Sequence, residues 1–202
     1  MAFILSISPG RAAAAAGTGA PSPEAALLRL CSEGRELQEF ALPGVRLAVD
    51  PVDHDCRLLR RRTPAGQELV AVCFGWCGLL DGDGARFDDR ALDAVLAALR
   101  ADPGHPARAV SRLTGNFVLV LLDPETARVF VWSDEWAVRC FYYGANGREV
   151  VVASRAAAAA ALLREPLDGM AWIAGLRKTW PTAHGTMFHG VGRAMPGQTI
   201  VA

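Results

Sequence analysis

The run Arg112-Leu113-Thr114-Gly115-Asn116-Phe117, carried on to Asp123, and the run VFVWSDEWAVRCFYY over 129–143 decide the fold. Asn116–Asp123 is almost continuously apolar and short, the pattern of a strand buried on both faces. The DPET turn separates it from a second strand, Arg128–Ser133, and SDEW from a third, Arg139–Tyr143. Asn146-Gly147 is a strong two-residue hairpin signal, and Glu149–Ala153 is the strand that follows it. Downstream, Ala156–Leu163 and Asp168–Leu176 read as helices and Gln198–Val201 as a closing strand.

Upstream of this β-rich half, Phe3–Ser8 is a buried strand stopped by Pro9-Gly10, and residues 10–20 read as a loop. Ser22-Pro23-Glu24 opens a short helix, with serine as cap and proline in the first turn. Val45–Val49 and Leu58–Arg62 are short strands joined by an acidic turn around Asp53. Leu69–Gly75 is a stronger strand, and Asp81-Gly82-Asp83-Gly84 is a turn. Asp88 or Asp89 caps the clearest helix, in which Leu92, Val95, Leu96 and Leu99 recur on one face. It ends near Pro103-Gly104, and a second short helix is expected over 107–113. Strands interrupted by helical zones point to a layered α+β fold. No linker-like segment divides the chain, so a single domain over 1–202 is expected.

Composition narrows the function. The 202 residues are 51% hydrophobic and 21% charged, with mean hydropathy +0.20, which excludes a disordered polymer. Lys+Arg and Asp+Glu both number 21, so no electrostatic case exists for nucleic acid or an anionic membrane as partner. Lys178 is the only lysine, and alanine runs fill 12–16 and 156–161; this bias points to a high-GC bacterial gene. Five cysteines (31, 56, 73, 77 and 140) are an odd, irregular set. In an extended strand Cys73 and Cys77 stand about 13 Å apart, too far for a disulfide, and reduced buried thiols point to the cytoplasm. The first residues lack the basic region of a signal peptide, and no apolar run is long enough for a membrane span.

Several motifs fail on their chemistry. Asp81 and Asp83 resemble the start of a calcium loop, but Leu92 stands where a bidentate glutamate is required. Gly190-x-Gly192 opens no helix, so it is no dinucleotide loop. No GxxxxGK[ST] loop and no Gly-x-Ser-x-Gly elbow exist. His184 and His189 have no acidic cluster near them in sequence, and no metal or other cofactor is expected.

The order of the segments is more informative. Arg112–Phe117, the strand to Asp123, 129–143, VVVAS at 150–154, and Thr186-Met187-Phe188-His189-Gly190-Val191 leading to Met195-Pro196-Gly197 form a succession. It resembles the N-terminal glutaminase-type domain (class II glutamine amidotransferase) of the asparagine synthetase family, which includes β-lactam synthetase and peptide-macrocyclase relatives. The similarity is close over 112–202 and loose over 1–111. It implies an α+β fold, the four-layered αββα sandwich of N-terminal-nucleophile (Ntn) hydrolases. It also implies an N-terminal cysteine whose thiolate attacks the glutamine amide, with its own α-amino group as base. Here that position is Ala2, whose methyl attacks nothing. The resemblance places the oxyanion donors of an Asn-Gly-Glu motif at Phe74-Gly75-Trp76, so the glycine is kept and the amide side chain is lost. Arg46 corresponds to the arginine that holds the glutamine carboxylate, or is a surface charge. Asp88 or Asp89 corresponds to the aspartate that reads the glutamine amino group, or caps a helix. Ser6, Ser8 and Cys31 are replacement nucleophiles by type only, because cutting at any of them discards the first strand.

The S-G-G-x-D-S pyrophosphate loop of the family's ATP-binding half is absent, and PGQTIVA ends where the family's chain would cross into that half. Three functions follow. The first is a catalytically silent amidotransferase-like domain, a structural or docking module for an ATP-dependent amide-forming synthetase domain in cis or in trans, with a homo-oligomer as a further expectation. The second is a working glutamine amidotransferase supplying ammonia, with Ala2 introduced to trap substrate. The third is a small-molecule binding module in the vacated glutamine pocket, with Trp76, a residue type more often found in cores, filling or closing it.

Overall fold

Strand β1 (Phe3–Ile7) and strand β6 (Leu113–Asp123) each sit inside an antiparallel sheet, and the two sheets belong to separate compact units. The computed structural model describes residues 3–8, 22–31, 37–50, 56–80, 86–176 and 185–202. One unit takes Met1–Asp53 and Phe141–Ala194, the other His54–Cys140 and Met195–Ala202. The chain therefore passes between units more than once, which is why no linker is visible in its composition. The expected loop over 10–20, the turns at Asp53 and at Asp81–Gly84, Ala2 and His184 lie outside the described residues.

In the first unit, β1 lies between β3 (Val45–Val49) and β9 (Val150–Ala153). The sheet is completed by β2 (Gln38–Leu42) at one edge and, at the other, by β8 (Tyr142–Ala145) and β10 (Val191–Arg193). All five residues of β1 are buried, the polar Ser6 among four apolar ones. Helices α1 (Pro23–Cys31) and α3 (Ala156–Leu163) pack on one face. The contact is built from small side chains: Ala25, Ala48, Ala153, Ala158, Ala159 and Ala160 close around Ile4 and Leu28. The alanine run of α3 thus lets the helix sit close to the strands. Ser22 caps α1, its hydroxyl accepting from Ala25 N–H at 3.1 Å. Helix α4 (Gly169–Leu176) is capped by Asp168, which accepts from the N–H groups of Ala171 and Met170. Those bonds, Ala171 first, hold the Asp168 carboxyl below the usual range.

In the second unit the order is β11 (Thr199–Val201), β7 (Arg128–Ser133), β6, β5 (Glu68–Leu79), β4 (Cys56–Arg62). Helix α2 (Asp89–Ala101) buries Ala91, Leu92, Val95, Leu96 and Leu99 against this sheet, the face its periodicity marks. Trp132 is fully buried, stacks on Phe130 at 5.4 Å and donates from Nε1 to the Pro106 carbonyl. Among the described residues no helix is long and apolar enough to cross a membrane.

The α+β class is as expected, and several local expectations are corrected. Val45–Val49 and Leu58–Arg62 belong to different sheets. Strand β5 runs on to Leu79, because the glycines at 75 and 78 stay paired with β6. Residues 106–110 form a 3-10 turn, not an α-helix: Pro106 starts it, Ser111 N–H reaches back only to Arg108, and Leu113 is already strand. The chain does not continue as a strand at Arg139, because Asp134 draws the backbone of 136 and 139 into a loop and β8 starts at Tyr142. At the hairpin, Asn146 N–H donates to Glu149, so Gly147 and Arg148 form the tip, one residue later than expected. Strands β2 and β10 lacked a readable alternation and were not anticipated.

Trp132→Ala removes a buried ring and orphans the Pro106 carbonyl. It should cost about 3–5 kcal/mol, read as a shift in the urea unfolding midpoint.

Candidate functional site

The Phe74-Gly75-Trp76 segment lies in the middle of β5, opposite Val118, Phe117 and Asn116 of β6. Gly75 has φ +105 and Gly115, across the ladder, φ +127, so both strands bend here. A Cβ on Gly75 would stand 2.1 Å from the Asn116 carbonyl oxygen and 2.6 Å from Cδ of Arg139. A Cβ on Gly115 would meet the Trp76 carbonyl at 2.2 Å and its ring at 2.6 Å. Glycine is therefore demanded by the backbone at both places. Phe74 is 1% exposed, and its ring offers no hydrogen-bond donor. Trp76, a residue type more often found in cores, is 50% exposed here and lies across Gly115.

Cys73 and Cys77, expected too far apart for a disulfide, form none. Both are fully buried and unoxidised. The Cys77 thiol, together with burial, pushes the Cys73 thiol well above its ordinary value, so it stays protonated and is a poor nucleophile.

The candidate substrate-reading residues divide between the units. Asp88 caps α2: its carboxylate accepts from Ala91 N–H at 2.9 Å. Asp89, beside it, binds the Arg61 guanidinium through Nε at 2.8 Å, and Asp93 binds the same group. These two carboxylates, Asp93 first, raise the Arg61 pKa. Arg46 sits in the other unit, on β3, level with Ser6 on β1 and Ala41 on β2. That row faces α1, since Ser6 Oγ donates to Glu24. Glu24 is 5% exposed, and its second carboxylate oxygen has no hydrogen-bond partner among the described residues.

Of the replacement nucleophiles, Ser6 is buried in mid-strand and bonded to Glu24, and the backbone N–H of Ser8 donates to Gly44. Cys31 ends α1, and its side chain lies outside the described residues. His189 has Asp168 at 3.8 Å, a neighbour that sequence spacing does not bring near; no cluster fit for a metal ion exists among the described residues.

Two features escape a reading of the sequence. Asp134, 1% exposed, accepts from the backbone N–H groups of Phe117, Trp136 and Arg139. Arg139 lays its side chain against Gly75. A Ser-Asp pair at a strand end is the only signal for the first.

The fold and this bent strand pair define an α+β protein of two antiparallel sheets. Residues 80–161 match a family model described as a glutamine amidotransferase domain, and the chain thus contains a glutamine amidotransferase-like domain. Among solved structures it is similar to the glutamine phosphoribosylpyrophosphate (PRPP) amidotransferase from B. subtilis complexed with ADP and GMP, at 14% identity and TM-score 0.47. That match covers 81% of this chain and 44% of the other, so the chain spans less than half of that protein's length. No curated protein matches the chain.

Gly75→Ala meets both a positive φ and a backbone oxygen and should cost at least about 2 kcal/mol. Asp88→Ala removes only a cap and should cost about 1 kcal/mol. Urea unfolding of the two variants measures both, and the first loss should be the larger.

Proposed function

We propose that this chain is a catalytically silent amidotransferase-like domain, a structural or docking module for an ATP-dependent, amide-forming synthetase domain of the asparagine synthetase type. The observation that carries this reading is Phe74, a buried ring where the resemblance calls for an amide side chain. The sequence adds Ala2, which brings neither thiol nor hydroxyl to the nucleophile position. Arg139, packed on Gly75, puts a long side chain beside the segment where a glutamine amide would be polarised. A synthetase that takes an amine already present in its substrate needs no ammonia from this domain. The setting proposed with it is a bacterial cytoplasm.

The docking role draws support from α4. Met170, Trp172 and Ile173 are 76%, 42% and 46% exposed, and Leu167 just before the helix is half exposed. A helix apolar on most sides is normally covered. A formal net charge of zero gives little repulsion to keep such surfaces apart.

Ammonia release from glutamine by the Met1-processed chain should equal that of a heat-killed control; turnover above it overturns the silence. Ala2→Cys alone should give a trace at most, and Ala2→Cys with Phe74→Asn about 10²–10³ more, the usual contribution of one oxyanion donor. Robust activity from the single change would show that Phe74 is no obstacle to catalysis.

Light scattering over a concentration series tests the docking role. The chain should self-associate towards millimolar concentration, and Met170→Glu with Ile173→Glu should return it to monomer. A strictly monomeric parent chain would sink the docking role.

A further inference from the structure

Between β6, the 3-10 turn at 106–110 and the loop after β7 lies a cleft of about 370 Å³, formed wholly within the second unit. That volume falls in the range of small-molecule sites. Its walls include Leu80, Val110 and Trp136, and its only ionisable lining groups are two carboxylates, Asp134 and Glu135. No lysine, arginine or histidine lines it among the described residues. The hydroxyls of Ser111 and Thr114 are other polar groups of its lining.

The two carboxylates differ in what they can still do. Asp134 is buried, with both oxygens engaged by backbone N–H groups, so it adds negative charge to the floor but no free acceptor. Glu135 is exposed, and no ion pair engages it among the described residues. Trp136 is 73% exposed, a costly place for an indole. Its backbone is nonetheless fixed, because its N–H donates to Asp134 Oδ1 at 2.8 Å and Ala137 N–H returns to the Asp134 carbonyl. A large aromatic held by its backbone at the edge of an acidic cleft is preorganised for a ligand.

From this charge and shape we propose that the cleft binds an organic ammonium ion carried on an apolar body. The ammonium pairs with the Glu135 carboxylate in the field of Asp134, and the apolar body lies against the Trp136 indole and Leu80. A cation near an indole face is attracted by the ring quadrupole as well as by the carboxylate. An anionic ligand meets two negative charges, and a neutral one gains only the apolar wall. Phe74, Gly75 and Asp88 are not part of the lining.

The test is isothermal titration of the full chain with phenethylammonium chloride, with phenethyl alcohol and 3-phenylpropionate as neutral and anionic counterparts. Saturable one-to-one binding at about 0.1–1 mM is expected, the reach of so small a ligand. The alcohol should bind at least about tenfold more weakly and the carboxylate not at all. Glu135→Gln should weaken the amine about tenfold while leaving the alcohol unchanged, and Trp136→Ala should weaken both. Both side chains are exposed, and an unchanged unfolding midpoint confirms that each variant is folded. No saturation by the amine, equal binding of the alcohol, or an amine affinity indifferent to Glu135→Gln would each overturn the proposal.

Discussion

The Asp134 carboxylate is the constraint on which the second unit depends. It is buried just past the end of β7, where it accepts from the backbone N–H groups of Phe117, Trp136 and Arg139. A buried carboxylate left unsatisfied is costly, and here both oxygens accept backbone N–H bonds. The backbone N–H of the same residue donates to the Phe117 carbonyl, and its own carbonyl accepts from Ala137 and from Gly197 of the closing segment. One residue thereby ties β6, the loop after β7 and the turn into β11. It also ends the second sheet's run of chain, since the next strand, β8, belongs to the other sheet.

The bend at Gly75 and Gly115 depends on a different rule, the close approach of two backbones. With Cβ positions a little over 2 Å from carbonyl oxygens, no side chain fits at either glycine without moving a strand. This geometry gives Arg139 a bare strip of backbone to lie on.

How much of this is legible in the sequence follows from the range of each signal. Helix α2 is fully readable, because Asp88 and the Leu92, Val95, Leu96, Leu99 stripe are local and each is sufficient alone. The strands β6 and β7 are readable for the same reason, as apolar runs bounded by turns. Which sheet a strand joins is not, because β3 and β4 are neighbours in sequence and belong to different sheets. Asp88, read either as substrate-reading or as a cap, shows its capping bond directly, and Asp89 is engaged by Arg61. The bend at Gly75 is not legible, because a positive φ cannot be read from one glycine among 20. The cleft at Trp136 is hidden because its walls come from segments far apart in sequence.

What the chain keeps and what it lacks, set beside the glutaminase-type pattern it resembles, divide along a physical line. Gly75 is kept, and the backbone requires it whatever the chemistry, since a Cβ there would strike Asn116. Where the resemblance calls for an amide donor the chain has Phe74, and on the proposed reading a buried ring is the more stable choice there. Full burial of a phenylalanine contributes about 1.5–3 kcal/mol, while a buried amide must find partners merely to break even. Ala2, which the resemblance sets at the nucleophile position, offers only a methyl. On the proposed reading, Gly75, which the backbone demands, is kept, while Ala2 and Phe74 stand apolar where catalysis alone would demand polar groups. A working glutaminase holds the reverse compromise at those positions, giving up stability to keep polar groups ready for a transition state. That contrast is the physical ground for the proposal that Ala2 and Phe74 together mark one change of role.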